Sequence, residues 1–168
     1  MLLTSLDGAS LELRPTGYQF AEDSRAGDNW DDEWDPNWLV VHGEVRTAQG
    51  DAWSFDDPCL TTWEARELAA WLRDAAEGRV APTDTPTEDS PGLLSFVEPN
   101  LGFSVASVDD SAVVVRAHLS AEAVTARPVE GPDQWALYAY SVPLTLGRNE
   151  LLSAARVWED ELTPFPKR

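Results

Sequence analysis

Short runs of alternating apolar and polar residues, joined by turn sequences, recur along the chain and limit how it can fold. The first two runs flank Asp7-Gly8, a two-residue hairpin turn in which the glycine tolerates positive φ. The next two lie within "WLVVHGEVRTAQGDAWSF", residues 38–55. Because strand residues alternate between faces, Leu39, Val41 and Val45 share one side of the first of these strands. Strands joined so closely predict a sheet of antiparallel hairpins.

The second half of the chain continues this pattern. "GLLSFVEPNLGFSVASV" predicts a third hairpin that turns at residues 98–101, where Pro99 presets φ at the second turn position. "AVVVRAHLS" at 112–120 and "WALYAYSV" at 135–142 predict two further strands. We therefore expect six to eight strands in all.

Two segments have helical rather than strand periodicity. In the first, Thr61 and Glu64 form a capping-box pattern, and an apolar stripe follows at Leu68, Trp71, Leu72 and Ala75. In the second, "NELLSAARVWEDEL", a similar stripe ends before Pro164, with a start between Thr145 and Asn149. The predicted fold class is α+β: a strongly twisted, mostly antiparallel sheet covered by two α-helices.

A length of 168 residues suits a single domain spanning 1–168. Two segments without apolar periodicity are predicted to be mobile loops. The first, near residues 22–36, is acidic, and the second, 81–91, is rich in proline and threonine.

The net charge of the chain limits the kinds of molecule that it can bind. The chain has 12 basic and 30 acidic residues, a net charge of −18, so its surface should repel nucleic acid and anionic membranes and attract a basic protein. The single cysteine excludes an intrachain disulfide, and no stretch is apolar enough to form a signal peptide or a membrane span. We expect a cytoplasmic protein.

The segment "DNWDDEWDPNW", Asp28 to Trp38, concentrates five carboxylates and three tryptophans. Oxygen donors alternate from Asp31 to Asn37, but a helix-loop-helix calcium site needs glycine at its sixth position and glutamate at its twelfth, where this chain has Pro36 and His42. Glycoside hydrolysis needs two carboxylates in different environments, which a clustered loop does not supply. The segment therefore predicts neither a calcium loop of known type nor a catalytic pair, and a weak, irregular cation site is left as an alternative.

Nucleophilic catalysis and zinc binding are equally unsupported. Cys59 stands in "DDPCLTT", without a cationic neighbour that would lower its thiol pKa, and it is better explained as a buried small residue. His42 and His118, on the more polar faces of their strands, are predicted to be hydrogen-bonded sheet residues. We predict no catalytic residues, no metal and no cofactor.

Binding remains the best-supported class of function. Tryptophan is enriched at interface hot spots, and Trp30 and Trp34 are the two indoles of the acidic segment that lie outside predicted strands. Carboxylates beside them would attract a basic partner. The predicted partner-binding residues are Trp30, Asp31, Asp32, Glu33, Trp34 and Asp35. In the alternative interpretation, Trp34 fills the core and the acids are only solvated.

Several motifs, in order, resemble the WapI-type bacterial immunity proteins. They are "LELRPTGYQF", "WDPNWLVVHGEV", "WSFDDPCLTTWEARELAAWL", "LSFVEPNLGF" and the final "FPKR", which together span nearly the whole chain. The resemblance implies an antidote that neutralises the C-terminal domain of a polymorphic toxin, in the best-known case a nuclease. The family-like positions include Trp34 and Asp35 together with Asn37, Trp38, Glu98, Pro99 and Asn100. For these last five a structural role is expected.

Two other classes of function compete with this one. The concave face of the sheet would suit a small-molecule or carbohydrate-binding domain if His42, Arg116 and His118 converged in a cavity. The acidity alone would also suit a scaffold protein.

Overall fold

The computed structural model describes residues 1–20, 35–84, 86–87, 90–124 and 140–168. Within them are eight strands, two α-helices and 3₁₀ turns at Asp35–Asn37 and Ala121–Val124. The strands are β1 (Leu2–Thr4), β2 (Ser10–Tyr18), β3 (Trp38–Arg46), β4 (Ala52–Thr61), β5 (Leu94–Ser95), β6 (Leu101–Val108), β7 (Val113–Leu119) and β8 (Ser141–Leu146). The helices are α1 (Thr62–Ala76) and α2 (Arg148–Leu162).

The strands form two four-stranded antiparallel sheets, β1-β2-β3-β4 and β5-β6-β7-β8, each in chain order. This simple order follows from the hairpin turns: Gly8, for example, has φ of +90° between β1 and β2. Where β1 and β8 approach each other, the backbone N–H of Thr145 donates to Ser5 Oγ at 3.1 Å. The α+β prediction is confirmed, with the strands divided between two sheets.

The inward faces of both sheets and the apolar stripes of both helices form one core cluster. Leu39, Val41 and Val45 are buried, as the alternation along β3 predicts. Gly43 completes that face because the Phe55 ring from β4 occupies the place of its side chain: a Cβ at Gly43 would lie 2.2 Å from Phe55 Cζ. Only glycine leaves room for the ring at this position.

Both helices begin with a defined cap. Thr61 caps α1 through the predicted capping box with Glu64. At α2 the backbone N–H of Gly147 donates to Glu150 Oε2 at 2.7 Å. The two helices are joined by Trp158, whose indole N–H donates to the carbonyl of Ala65 at 2.6 Å. These contacts fix α1 and α2 against each other and against the core.

Some boundaries differ from those expected. Thr145 belongs to β8 rather than to a helix start, and α2 begins at Arg148. Of the strand predicted at 135–142, only the final two residues coincide with β8, and 135–139 lie outside the described residues. The predicted acidic loop also falls outside them, apart from its end at Asp35–Pro36. In β7, Arg116 donates to the carbonyls of Thr83 and Asp84, which belong to the Pro/Thr-rich segment.

Candidate functional site

A cleft of about 330 Å³ lies where the two sheets come together, and the quoted sequence motifs converge on it. Its carboxylates come from four separate parts of the chain: Asp35 from the first 3₁₀ turn, Asp57 from β4, Glu98 from the turn before β6, and Glu122 from the second 3₁₀ turn. The remaining lining residues are Gln19, Phe20, Trp38, Pro58 and Asn100. Among the lining residues that the structure describes there is no lysine or arginine. We call this site the carboxylate cleft.

A β-bulge in β4 shapes one wall of the cleft. Val41 pairs with Asp57 and Leu39 with Leu60, so that Pro58 and Cys59 together lie opposite the single residue Val40. An extra residue of this kind bends a strand and re-aims its side chains. Cys59 is buried in the core, whereas its neighbours Asp57 and Pro58 line the cleft. The "DDPC" motif is therefore the part of β4 that turns from the core towards the cleft.

Asn100 holds two of the carboxylates together. Its side chain is 4% exposed, and Nδ2 donates to Asp57 Oδ2 at 2.5 Å and to Glu122 Oε2 at 3.2 Å. The Asn100 carbonyl accepts from the backbone N–H of Ser120 at 3.0 Å, and the Ser120 hydroxyl donates to the carbonyl of Pro99. The turn containing Pro99 is thereby fastened to the end of β7. An amide with two donors is suited to bridging two acids that would otherwise repel each other.

The carboxyl of Asp57, in the cleft, has a pKa that is shifted by its surroundings. Burial raises the pKa of its carboxyl above the ordinary value of 3.8, and the nearby Glu122 raises this pKa further, while the hydrogen bond from Asn100 opposes both effects. A carboxylate that loses hydration next to another acid is stabilised when a cation approaches. The carboxylate cleft is therefore suited to a lysine or arginine side chain of a binding partner.

Asn37 lies beside the cleft but is completely buried. Its Oδ1 accepts from Thr62 Oγ1 at 3.0 Å and from the backbone N–H of Arg168 at 2.9 Å, and its Nδ2 donates to the carbonyl of Arg168 at 3.2 Å. Trp38, directly after it, begins β3 and lines the cleft. These contacts join the "DPN" turn to α1 and to the last residues of the chain.

Of the six predicted partner-binding residues, only Asp35 is described, and it lines the cleft. Trp30, Asp31, Asp32, Glu33 and Trp34 lie outside the described residues. The residues on either side of the segment 21–34 are Phe20 and Asp35, and both line the carboxylate cleft. The chain therefore enters and leaves this acidic segment at the cleft.

Sequence reasoning missed Asp57 and Glu122 as members of the site. Asp57 is within the quoted "WSFDDPCLT" motif, so a signal was present, although the bulge that directs it towards the cleft was not visible. Glu122 follows β7 without any motif and reaches the cleft only through the packing of the two sheets. Glu98 and Asn100 were identified by the resemblance and lie in the cleft beside Asp57.

The polar groups considered for a small-molecule site occupy separate environments. His42 Nδ1 lies 2.9 Å from Asp56 Oδ1 on the exposed face of β3, and this contact raises the pKa of His42. His118 is buried, with Nε2 at 2.8 Å from Ser104 Oγ. Arg116 binds the carbonyls of Thr83 and Asp84. The prediction of hydrogen-bonded sheet histidines is confirmed for both residues.

Burial raises the pKa of the Cys59 thiol, which opposes formation of a thiolate. Within the described ranges, no three His, Cys, Asp or Glu side chains form a group that could hold a metal ion. The helices described here include none that is long and apolar enough to cross a membrane.

Comparison with known proteins gives one match. The model of the immunity protein WapI-like family matches residues 1–166. Neither the curated proteins nor the solved structures gave a match.

Proposed function

The chain belongs to the WapI-like family of immunity proteins, and from this premise we propose that it is a non-enzymatic antitoxin that binds and neutralises a basic toxin domain of the nuclease class. It would act in the cytoplasm, where a delivered nuclease meets its substrate. A nuclease surface that holds phosphates is positively charged, so an acidic protein can compete for it.

The observation that supports this proposal best is the carboxylate cleft. Four carboxylates from distant parts of the chain are gathered at one opening, on a protein whose net charge is −18. The overall charge would accelerate encounter with a basic domain, and the cleft would give a cationic side chain a defined place to bind. Asp57 and Glu122, which Asn100 holds close together, are suited to the centre of such a contact.

The acidic segment would extend this surface. We propose that Asp31, Asp32, Glu33 and Asp35 supply attraction and that Trp30 and Trp34 supply apolar anchors, because ring burial slows dissociation whereas charge mainly accelerates association. Trp30→Ala and Trp34→Ala should then raise the dissociation rate. Loss of folding in the Trp34→Ala protein would instead favour a core position for that indole.

The first experiment captures the partner. The purified protein is used as bait in lysate of the native host at low and at moderate salt, and retained chains are identified by mass. A basic toxin-like domain that moderate salt releases is the expected result, and its nuclease activity should fall on titration with the protein. A folded bait that retains no such domain would contradict the proposal.

The second experiment tests the location of the interface with a matched pair of variants. In one, Asp35→Asn, Asp57→Asn, Glu98→Gln and Glu122→Gln neutralise the cleft. In the control, Glu67→Gln, Asp84→Asn, Asp110→Asn and Asp160→Asn neutralise four exposed acids elsewhere. Both variants lose four negative charges. The cleft variant should bind the captured domain at least about tenfold more weakly, since each hydrogen bond to a charged group that is lost is worth about 1–3 kcal/mol. Equal losses in the two variants would show that only overall charge matters.

A further inference from the structure

The last six residues of the chain, 163–168, pack back across the molecule after α2 ends, and we call them the tail strap. The amide side chain of Asn37 pairs with the backbone of Arg168 in both directions, at 2.9 Å and 3.2 Å. Asn37 is also bound by Thr62 Oγ1 at the start of α1. Detaching the strap would remove two hydrogen bonds from the fully buried Asn37 amide, and a buried polar group is costly to leave unsatisfied. The strap is therefore part of the fold.

Aromatic and cationic contacts reinforce this attachment. The Phe165 and Tyr18 rings meet edge to face, with centroids 5.6 Å apart, and the Tyr18 hydroxyl donates to the carbonyl of Pro166. The Arg168 guanidinium lies 3.4 Å from the centroid of the Tyr18 ring, and Lys167 Nζ lies 5.3 Å from that of Trp63. Each cation–π contact contributes about 0.5–1 kcal/mol when exposed, so the strap is held by several modest interactions.

The strap also reaches the wall of the carboxylate cleft. Arg168 Nη1 donates to the carbonyl of Phe20 at 3.2 Å, and Phe20 lines the cleft. The adjacent residue, Gln19, donates its backbone N–H to the carbonyl of Trp38 at 2.8 Å, and both of these residues line the cleft as well. Through Phe20 on one side and Asn37 on the other, Arg168 connects the end of β2 to the turn that begins β3.

We propose that the tail strap positions the β2–β3 wall of the carboxylate cleft, with Arg168 and Asn37 as positioning residues. Given the proposed function, attachment of the strap sets the affinity of the cleft for a basic partner. A wall held in place before binding spares the complex the cost of ordering it. Coupling of this kind is reciprocal, so a bound partner would in turn slow detachment of the strap.

The test compares Arg168→Ala with Arg156→Ala, which removes an exposed arginine on α2 and so matches the change in charge. Amide hydrogen exchange and a carboxyl titration are both followed by NMR in the free protein. In Arg168→Ala, the Gln19 amide should exchange at least about tenfold faster, while Val115 in β7 stays protected, because local opening costs less than global unfolding. Arg156→Ala should change neither amide.

The pKa of Asp57 distinguishes displacement of the cleft wall from the simple loss of the Arg168 charge. Loss of a positive charge can only raise the pKa of a carboxyl, whereas a displaced wall admits water and lowers the pKa of Asp57 towards 3.8. We expect a lower pKa of Asp57 in Arg168→Ala and no change in Arg156→Ala. An unchanged Gln19 exchange rate, a rise in the pKa of Asp57, or equal acceleration of Gln19 and Val115 would each overturn the proposal. Because no partner is present, the result is independent of whether a toxin domain is captured.

Discussion

Asp57, in the cleft proposed to bind a partner, carries a charge that the free fold does not favour. Its carboxyl is partly desolvated and faces Glu122, and one hydrogen bond from Asn100 offsets only part of that penalty. Such groups are common at functional sites because the partner, rather than the free protein, stabilises their charge. Replacement by a neutral isostere should therefore improve stability and impair binding, the usual trade-off at such sites.

The difference in stability between Asp57→Asn and the wild type should depend on pH. A carboxyl whose pKa is raised by folding contributes stability below its unfolded pKa of about 3.8, and that contribution is lost as pH rises through the folded value. The variant should therefore melt higher than the wild type at pH 7, and the difference should shrink as pH falls towards 3. Thermal unfolding across this range measures it, with Asp110→Asn as a charge-matched control in an exposed turn. A variant less stable than wild type at pH 7 would contradict the assigned cause.

At the scale of elements, Glu64 connects a local motif to the site. It completes the capping box by accepting from Thr61 N at 2.8 Å and Thr61 Oγ1 at 2.7 Å. Its other oxygen accepts from the backbone N–H of Val97 at 2.8 Å, directly before Glu98. The first residues of α1 therefore help to hold the turn that supplies Glu98 and Asn100 to the cleft.

Glu64→Ala should accordingly cost more than loss of a helix cap alone. Removal of a typical N-cap costs about 1 kcal/mol, while leaving the buried Thr61 N–H unsatisfied and losing the part-buried Val97 contact adds about 1–3 kcal/mol. Urea unfolding of Glu64→Ala beside Thr61→Ala tests this comparison, since Thr61→Ala leaves the Val97 contact in place. Equal losses in the two variants would show that the Val97 contact contributes nothing to stability.

The same residues show what could be predicted from sequence. The capping box and the alternation along β3 are local patterns, and the structure has both. The Glu64–Val97 bond joins residues 33 apart, and Asp57 in β4 lies near Glu122 in the 3₁₀ turn after β7, so neither contact leaves a periodic signal. The division of the strands between two sheets was missed for the same reason: hairpin signals determine which strands pair, but not where pairing stops.

The edges of the two sheets favour recognition through side chains. Edge strands with unpaired backbone groups invite pairing with other chains, and short strands or prolines suppress it. Here β1 and β5 have three and two residues, while Pro58 interrupts β4 and Pro143 lies in β8. All four edge strands of the described sheets are thus short or carry a proline. A surface cleft is then a better place for a partner to bind than a strand edge.

At the scale of the whole molecule, the net charge of −18 has opposite consequences for folding and for binding. Like charges spread over a chain of 168 residues repel one another in the compact state, so acidity lowers the stability of the free protein. The same field attracts a basic domain from a distance. Dissolved salt screens both interactions, and the Debye length is about 10 Å at 0.1 M.

Salt should therefore change stability and affinity in opposite directions. Raising NaCl from about 0.02 M to about 0.5 M shortens the Debye length several-fold, which should raise the melting temperature of the free protein and weaken its complex with a basic toxin domain. Differential scanning fluorimetry measures the first effect, and association rates at each salt concentration measure the second. The variant with four neutralised cleft carboxylates serves as the control, because lower self-repulsion should reduce its stabilisation by salt. A melting temperature that falls as NaCl is added would mean that attraction between the acids and the 12 basic residues outweighs repulsion among the remaining acids, and the expected stabilisation by salt would be wrong.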